Sequence, residues 1–363
     1  FERVPGAGAA RTQDLAPEET GVRARGKEIF RKVAYLPDEF IGWYPAAVRR
    51  GVRVVRERNI DVVLSSSPPN SAHLVGRAIA RRTGRPHVVD FRDAWTRNPS
   101  YRHAEGWRGR VERRLERAVV RSAERLVTVS EGIRNDFLRD HGALDPETIA
   151  VIANGFDPED FEGPRLPEEL APASGRMRIA FTGSWLDDRS PETFMKALSI
   201  YAATARGRGP KIEALFAGTE QAGIRRAAER AGVSALVRTV GYLPARTCCA
   251  LQRSADALLL VLKDGPQSAG VLSGKIFQYL GAGRPVLALV PEGAAADLVR
   301  KTGAGCVVAP GDAEGAARAL CALARAKESG RPLRGADSQI LAPYTRRSVA
   351  GRFASLLSEV ADG

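Results

Sequence analysis

Ser273, Gly274 and Lys275 stand together ahead of an apolar helical pattern, and Gln278 follows Lys275 by three residues. A helix start offers unsatisfied N–H groups, a glycine lets a ligand approach closely, and a lysine in the first turn adds charge. Together they make a cradle for an anion. Lys275 and Gln278 share one helix face, while Tyr279 turns inward. The pattern predicts a helix over 275–282, a stop at Gly283 and a buried strand over 286–290. An ordinary helix–strand unit with a solvated Lys275 has the same pattern, and these residues alone leave both readings open.

The elements that must position this group alternate along the chain. Predicted strands at 62–64, 87–91, 126–129 and 149–152 are separated by helices at 72–83 and 131–139 and by a basic helix within 102–125. A basic amphipathic helix at 45–60 precedes them. A Pro-rich stretch follows, with Pro164, Pro167 and Pro172. A second series then places strands at 178–181, 212–216, 237–240, 257–262, 286–290 and 305–308 between helices. The last segment, 345–360, reads as one more amphipathic helix. Two helix–strand series argue for an α/β protein of two doubly wound parallel-sheet, Rossmann-like domains. The expected division is 1–163, a linker 164–176, a second domain 177–343 and a C-terminal helix 344–363. Ligands of such sheets sit beyond the carboxyl ends of strands. The polar groups beginning at Ser65, Asp90, Asn154, Gly183, Gly241, Lys263 and Ser273 all fall there, so two facing domains would build one composite site.

Composition narrows the function classes. The 363 residues are 44% hydrophobic and 6% aromatic, and no apolar run reaches the roughly 18–20 residues of a membrane span. The adjacent Cys248 and Cys249, with Cys306 and Cys321, lack metal-ligand spacing with the four histidines. A reduced, cytoplasmic protein is expected. The net charge is +13, and residues 102–125 carry eight arginines against four glutamates. A solvated surface helix is the first reading of that segment. Attraction to an anionic membrane face or polyanionic substrate is the second. Nucleic acid is not expected, because no reader motif or aromatic platform accompanies the arginines.

The stretch GKIFQYLGAGRPV at 274–286 resembles the signature of retaining glycosyltransferases of family 4, which have the GT-B fold. Val151-Ile152-Ala153-Asn154-Gly155-Phe156-Asp157 resembles the family's strand and Asn-Gly segment. Phe181-Thr182-Gly183-Ser184 resembles the start of its donor-binding domain. Ser65-Ser66-Ser67-Pro68-Pro69 with Asp90-Phe91-Arg92-Asp93-Ala94-Trp95 is similar to a subgroup bearing SSPP and D-[FI]-R-D-x-W. The four blocks stand in the family's order over about 230 residues.

The resemblance implies transfer of a sugar from a nucleoside-diphosphate sugar to an acceptor hydroxyl, with retention and without a metal or other cofactor. Gly183 and Ser184 would approach the diphosphate, with Lys275 and Arg189 as cations beside the Ser273–Gly274 helix start. Tyr242 and Leu243 would meet the base and Gln278 the ribose. Arg92 and Asp93 fall where many members place a catalytic-site histidine. An arginine there suits a phosphate, and an aspartate suits a sugar hydroxyl or the acceptor. The alternative is that Asp90 and Asp93 cap the loop and pair with Arg92 or Arg97. Ser65, Ser66, Asn154 and Asp264 are the remaining candidates for sugar or acceptor contacts. His73 is expected to pack rather than react.

The family pattern is departed from in three ways, at four positions. Ser184 and Ser190 replace an Arg and a Lys, Gln278 replaces the ribose-binding Glu, and Gly270 replaces a Glu that contacts the donor sugar. Lys263, Asp264 and Ser268 are substitutes on the same loop. These departures keep a second reading in view, a GT-B-like nucleotide-sugar-binding protein with impaired transfer. The partners expected are a nucleotide-sugar donor and a lipid-linked or natural-product glycan acceptor, with association to an anionic membrane surface. Nothing before Val62 reads as the strand and Gly-rich loop that should open a GT-B first domain. On the order of 60–90 residues are therefore expected to precede the recorded ones.

Overall fold

The structure is a computed structural model that describes residues 35–98, 106–163, 165–185, 191–205, 209–219, 221–265, 268–331 and 333–363. Its first sheet is parallel, in the order β1 (Val63–Ser67), β2 (His87–Phe91), β3 (Arg125–Thr128), β4 (Ile149–Val151). Helices α1 (Tyr44–Glu57), α2 (Ser71–Thr83), α3 (Gly106–Val120) and α4 (Glu131–Asp140) accompany it. The second sheet contains β5 (Arg176–Thr182), β6 (Lys211–Ala217), β7 (Val237–Thr239), β8 (Ala257–Val261), β9 (Val286–Leu289) and β10 (Gly305–Val308). Between them run α5 (Glu192–Ala205), α6 (Gln221–Arg230), α7 (Ala245–Ser254), α8 (Gly274–Gly281) and α9 (Ala294–Thr302). Helices α10 (Ala313–Glu328), α11 (Ser338–Leu341) and α12 (Arg346–Asp362) complete the chain.

The second sheet is parallel and ordered β10-β9-β8-β5-β6-β7. Its central strands are buried on both faces, which is why they read as unbroken apolar runs. Phe181, Leu259 and Leu287 pack on one side with Phe194 and Leu320. Ala180, Leu258 and Ala288 pack on the other with Ile276, Phe277 and Leu280 of α8. The apolar stripe of α8 is thereby spent on the sheet, and its opposite face is left outward. Strand order reverses between β5 and β8, and that switch point opens a crevice at their carboxyl ends.

In the first sheet, Ser65 to Ser67 are strand residues rather than the expected polar turn. The strand tolerates them because their hydroxyls find partners: Ser65 Oγ lies 2.8 Å from both His73 Nδ1 and His87 Nε2, and Ser66 Oγ donates to Asp90 Oδ2 at 2.7 Å. The basic helix also differs from expectation. Trp107 is exposed, whereas Glu112 and Glu116 are buried. Glu112 pairs with Arg108 at 2.8 Å, and Glu116 accepts from Thr96 N and Oγ1 at 2.8 and 3.0 Å. Paired carboxylates thus occupy a face that hydrophobic spacing assigns to apolar residues.

Helix α12 crosses back to the first sheet, where Leu356 and Val360 pack on Val88, Val127 and Ile152. The Pro-rich stretch is fastened as well. The fully buried Arg178 donates to Leu170 O and Ala171 O at 2.6 and 3.0 Å and pairs with Glu213 at 2.8 Å. Among the described residues, no helix is long and apolar enough to cross a membrane.

Candidate functional site

A cavity of about 710 Å³ opens at the switch point of the second sheet and reaches the first. The start of α8 forms one wall. Ser273 caps this helix by accepting the Lys275 N–H at 3.3 Å, which keeps its own hydroxyl hydrogen available to donate. Gly274, Lys275 and Gln278 line the cavity from the same helix. The Lys275 ammonium lies 3.8 Å from the centroid of the Phe181 ring, a cation–π contact that aims the long side chain along the end of β5.

The floor is backbone. Gly183 follows β5 with φ +113°, and a Cβ there would stand 2.9 Å from Lys275 Nζ. Gly218 follows β6, and its Cβ would meet Gly183 O at 2.1 Å. The positive φ of Gly183 disfavours a side chain where it lines the cavity, and Gly218 is held against the Gly183 backbone behind it. A buried polar chain holds this floor in place. Thr182 N donates to Tyr279 Oη at 3.0 Å, and Gln252 Nε2 donates to Thr182 Oγ1 at 2.8 Å. One line of bonds therefore ties α7, β5 and α8 together.

Tyr242 and Leu243 stand at the far end, and Tyr242 is 77% exposed, a large aromatic face open to a planar partner. Ala245, Cys248 and Cys249 continue this wall from α7. The Cys248 thiol donates to Leu243 O at 3.5 Å, and burial pushes its pKa up to about 11, so it is a neutral wall rather than a nucleophile.

The first unit contributes Arg92 and Asn154. Arg92 donates to Asp90 Oδ1 at 3.1 Å, to Ile152 O at 3.0 Å and to Asn154 Oδ1 at 2.6 Å. It also lies 5.9 Å from the Phe353 ring of α12. The pairing of Asp90 with Arg92 is the structural alternative raised for this motif. Burial raises the Asp90 pKa against the pull of Arg92 and Ser66. Water reaches the Asp93 carboxyl, yet the surrounding protein raises its pKa, with Arg92 acting in the opposite sense. Trp95 of the same motif is a buried core residue, and Arg97 pairs with Asp140.

The cavity thus collects Arg92, Asn154 and Gly183, then Tyr242 and Leu243, then Ser273, Gly274, Lys275 and Gln278. The remaining candidates lie elsewhere, among them Asp93, which is exposed and does not line the cavity. Ser65 is buried against its two histidines, and Ser66 is turned to Asp90. Ser184 accepts from Thr219 Oγ1 at 2.9 Å outside the lining, and Asp264 accepts the Gly265 N–H at 2.8 Å and does not line the cavity. Arg189 and Ser190 lie outside the described residues. Sequence reasoning missed Cys248, Cys249 and Arg346 of α12 as lining residues. The adjacent cysteines in the helix after Leu243 were a usable signal for two of them. The position of Arg346 depends on the return of α12, which no local pattern announces.

Known proteins share this fold. Residues 5–155 match the profile of the "Glycosyl transferase 4-like domain", and residues 176–326 match "Glycosyl transferases group 1". The alpha-maltose-1-phosphate synthase of Mycolicibacterium smegmatis is 33% identical over 84 residues, which are 23% of this chain and 22% of that protein's own length. Anabaena HepE in complex with UDP superposes with a TM-score of 0.63 at 18% identity, over 86% of this chain and 82% of HepE. Sucrose-phosphate synthase from Thermosynechococcus elongatus gives a TM-score of 0.66 at 14% identity, over 89% and 79% of the two chains. At such identities the superpositions establish the fold.

Proposed function

The chain belongs to the glycosyl transferase 4-like, group 1 glycosyltransferases of GT-B fold, and from that premise we propose that it transfers a sugar from a nucleoside-diphosphate sugar to an acceptor hydroxyl with retention of anomeric configuration. The observation that carries the reading is the switch-point cavity. A helix start, a lysine and a glycine-built backbone floor converge where a diphosphate would lie. In this mechanism the Gly274 N–H and the Ser273 hydroxyl donate to the diphosphate oxygens, Gly183 lets them approach the end of β5, and Lys275 neutralises the charge that grows on the leaving group. These groups are fixed before the reaction, so they stabilise developing charge without reorganising. Charge balance is supplied by the protein, and no divalent metal is required. Tyr242 and Leu243 cover the base and Gln278 bonds the ribose. Arg92 and Asn154 face the leaving group from the first unit, and Asp93 orients the acceptor.

Uracil is the base to test first, because HepE is known in complex with UDP and with UDP-glucose. For the acceptor we favour a lipid-linked saccharide at an anionic membrane face. Helices α1, α2 and α3 carry four, three and five arginines against three glutamates, of which Glu112 and Glu116 are buried. Such a surface is drawn to anionic headgroups. Sedimentation with phosphatidylglycerol vesicles at low salt tests this, and a protein that stays in the supernatant removes the membrane version.

The reaction itself is tested by incubating the protein with UDP-, GDP-, dTDP- and ADP-sugars, with EDTA present. Nucleotide release and the anomeric configuration of any product are read by NMR. Turnover of at least one donor with retention is expected. Tight nucleotide binding without turnover of any donor would favour the impaired binding protein, to which Gln278 and Gly270 point.

A further inference from the structure

We propose that a backbone seam between α4 and the 268–272 loop sets the spacing of the two cavity halves, with Gly132 as its positioning residue; this rests on the transfer reading above. At the seam the backbone of Gly132 lies directly against the backbone of Gly270. A Cβ on Gly132 would stand 2.8 Å from Gly270 Cα and 3.5 Å from Gly270 N. Both are main-chain atoms and cannot rotate away. Ser130, the cap of α4, accepts the Ile133 N–H at 3.2 Å and donates to Gly270 O at 2.8 Å. One hydroxyl therefore terminates a first-unit helix and grips a second-unit loop.

The loop is held on its other side too. The Ala294 N–H at the start of α9 donates to Ala269 O at 2.7 Å. A Cβ on Gly293 would meet that same oxygen at 2.2 Å. Clamped between α4 and α9, the loop has little room to yield. It runs directly into Ser273, Gly274 and Lys275, so a displacement at residue 270 reaches the anion-binding start of α8 within five residues. Ser130 follows β3 and Arg92 follows β2, and those strands are paired. The seam therefore gauges the distance from Arg92 and Asn154 to Lys275.

Gly270 faces the same seam from the second unit with more room. A Cβ there would lie 3.4 Å from Ile133 N and 3.5 Å from Gly132 C, an ordinary contact that alanine can make.

Gly132→Ala and Gly270→Ala form the test pair, because the first Cβ collides and the second fits. Alanine is the better helix former within α4, so a loss in Gly132→Ala is not a weakened helix. With UDP as probe, Gly270→Ala should keep Kd within about twofold, whereas Gly132→Ala, whose displacement reaches the start of α8, should weaken UDP by less than it lowers kcat. The kcat of sugar transfer should fall about tenfold to a hundredfold in Gly132→Ala, as expected when reacting groups are misplaced. It should stay within about threefold in Gly270→Ala. Hydrogen exchange of the 265–275 peptide, which needs no substrate, should quicken in Gly132→Ala alone. Equal exchange and equal turnover in the two variants would overturn the seam. A wild-type protein that transfers no sugar, but whose exchange follows the predicted pattern, would instead sink the transfer reading and leave the seam standing.

Discussion

The strand ends of the two sheets carry similar polar residues and use them in opposite ways. In the second sheet, glycines and the start of α8 turn peptide groups and Lys275 toward an open cavity. In the first, Ser65 is spent on His73 and His87, and Ser66, Asp90, Arg92 and Asn154 bond to one another in a chain. The difference follows from strand order. The second sheet reverses direction between β5 and β8 and opens a crevice there, whereas β1 to β4 run in sequence order with no reversal among the described residues. The polar residues after the split strands thus border an open cavity, whereas those of the first sheet are bonded to one another, with Arg92 and Asn154 both tied and lining the cavity.

If that contrast is right, damage to the first sheet's ties should reach stability, while damage at the switch point should reach ligand affinity. The largest effect is expected from acid. Burial lowers the His73 pKa from 6.5 to about 3 and the His87 pKa from 6.5 to about 4. Both are neutral in the fold, so between pH 6.5 and those values the unfolded chain binds more protons. Stability falls as pH drops through 6.5 and goes on falling toward about 4 for His87 and about 3 for His73. By pH 5 the loss is about 2 kcal/mol for each histidine. Urea unfolding at pH 7 and pH 5 measures it, and a flat profile would break the account of this cluster.

Next comes Ser65→Ala. The Ser65 hydroxyl donates to one imidazole and accepts from the other, and neither His73 Nε2 nor His87 Nδ1 has a partner among the described residues. Removing the shared hydroxyl leaves two further ring nitrogens buried, at a cost of about 2 kcal/mol. UDP affinity should not change, and a parallel loss of UDP binding would return Ser65 to the ligand site. The smallest effect is Gln278→Glu. A carboxylate accepts a ribose hydroxyl more strongly than an amide oxygen does, so UDP should bind about fivefold tighter, a gain of about 1 kcal/mol. An unchanged Kd in calorimetry would remove Gln278 from the ribose contact.

Much of this division was legible beforehand. The strand ranges of the second unit stand out because doubly buried strands are continuous apolar runs. The Lys275–Gln278 face stands out because helix spacing places the two together. The position of β1 was not legible, since three serines read as a turn until His73, His87 and Asp90 supply their partners. Nor was the buried face of α3, which carries Glu112 and Glu116 while Trp107 is exposed. Both depend on pairings across 8 to 24 residues, such as Ser65 with His73, Ser66 with Asp90 and Glu116 with Thr96. The entry of α12 into the cavity through Arg346 is a matter of chain path alone.

The central claim is that the start of α8 binds a nucleoside diphosphate through its phosphates. Calorimetric titration of UDP and uridine into the wild type and Lys275→Ala tests it most directly. Loss of a charge-assisted bond of about 1.5–3 kcal/mol should weaken UDP about tenfold to a hundredfold while uridine binds as before. Equal weakening of both ligands, or of neither, would contradict the account.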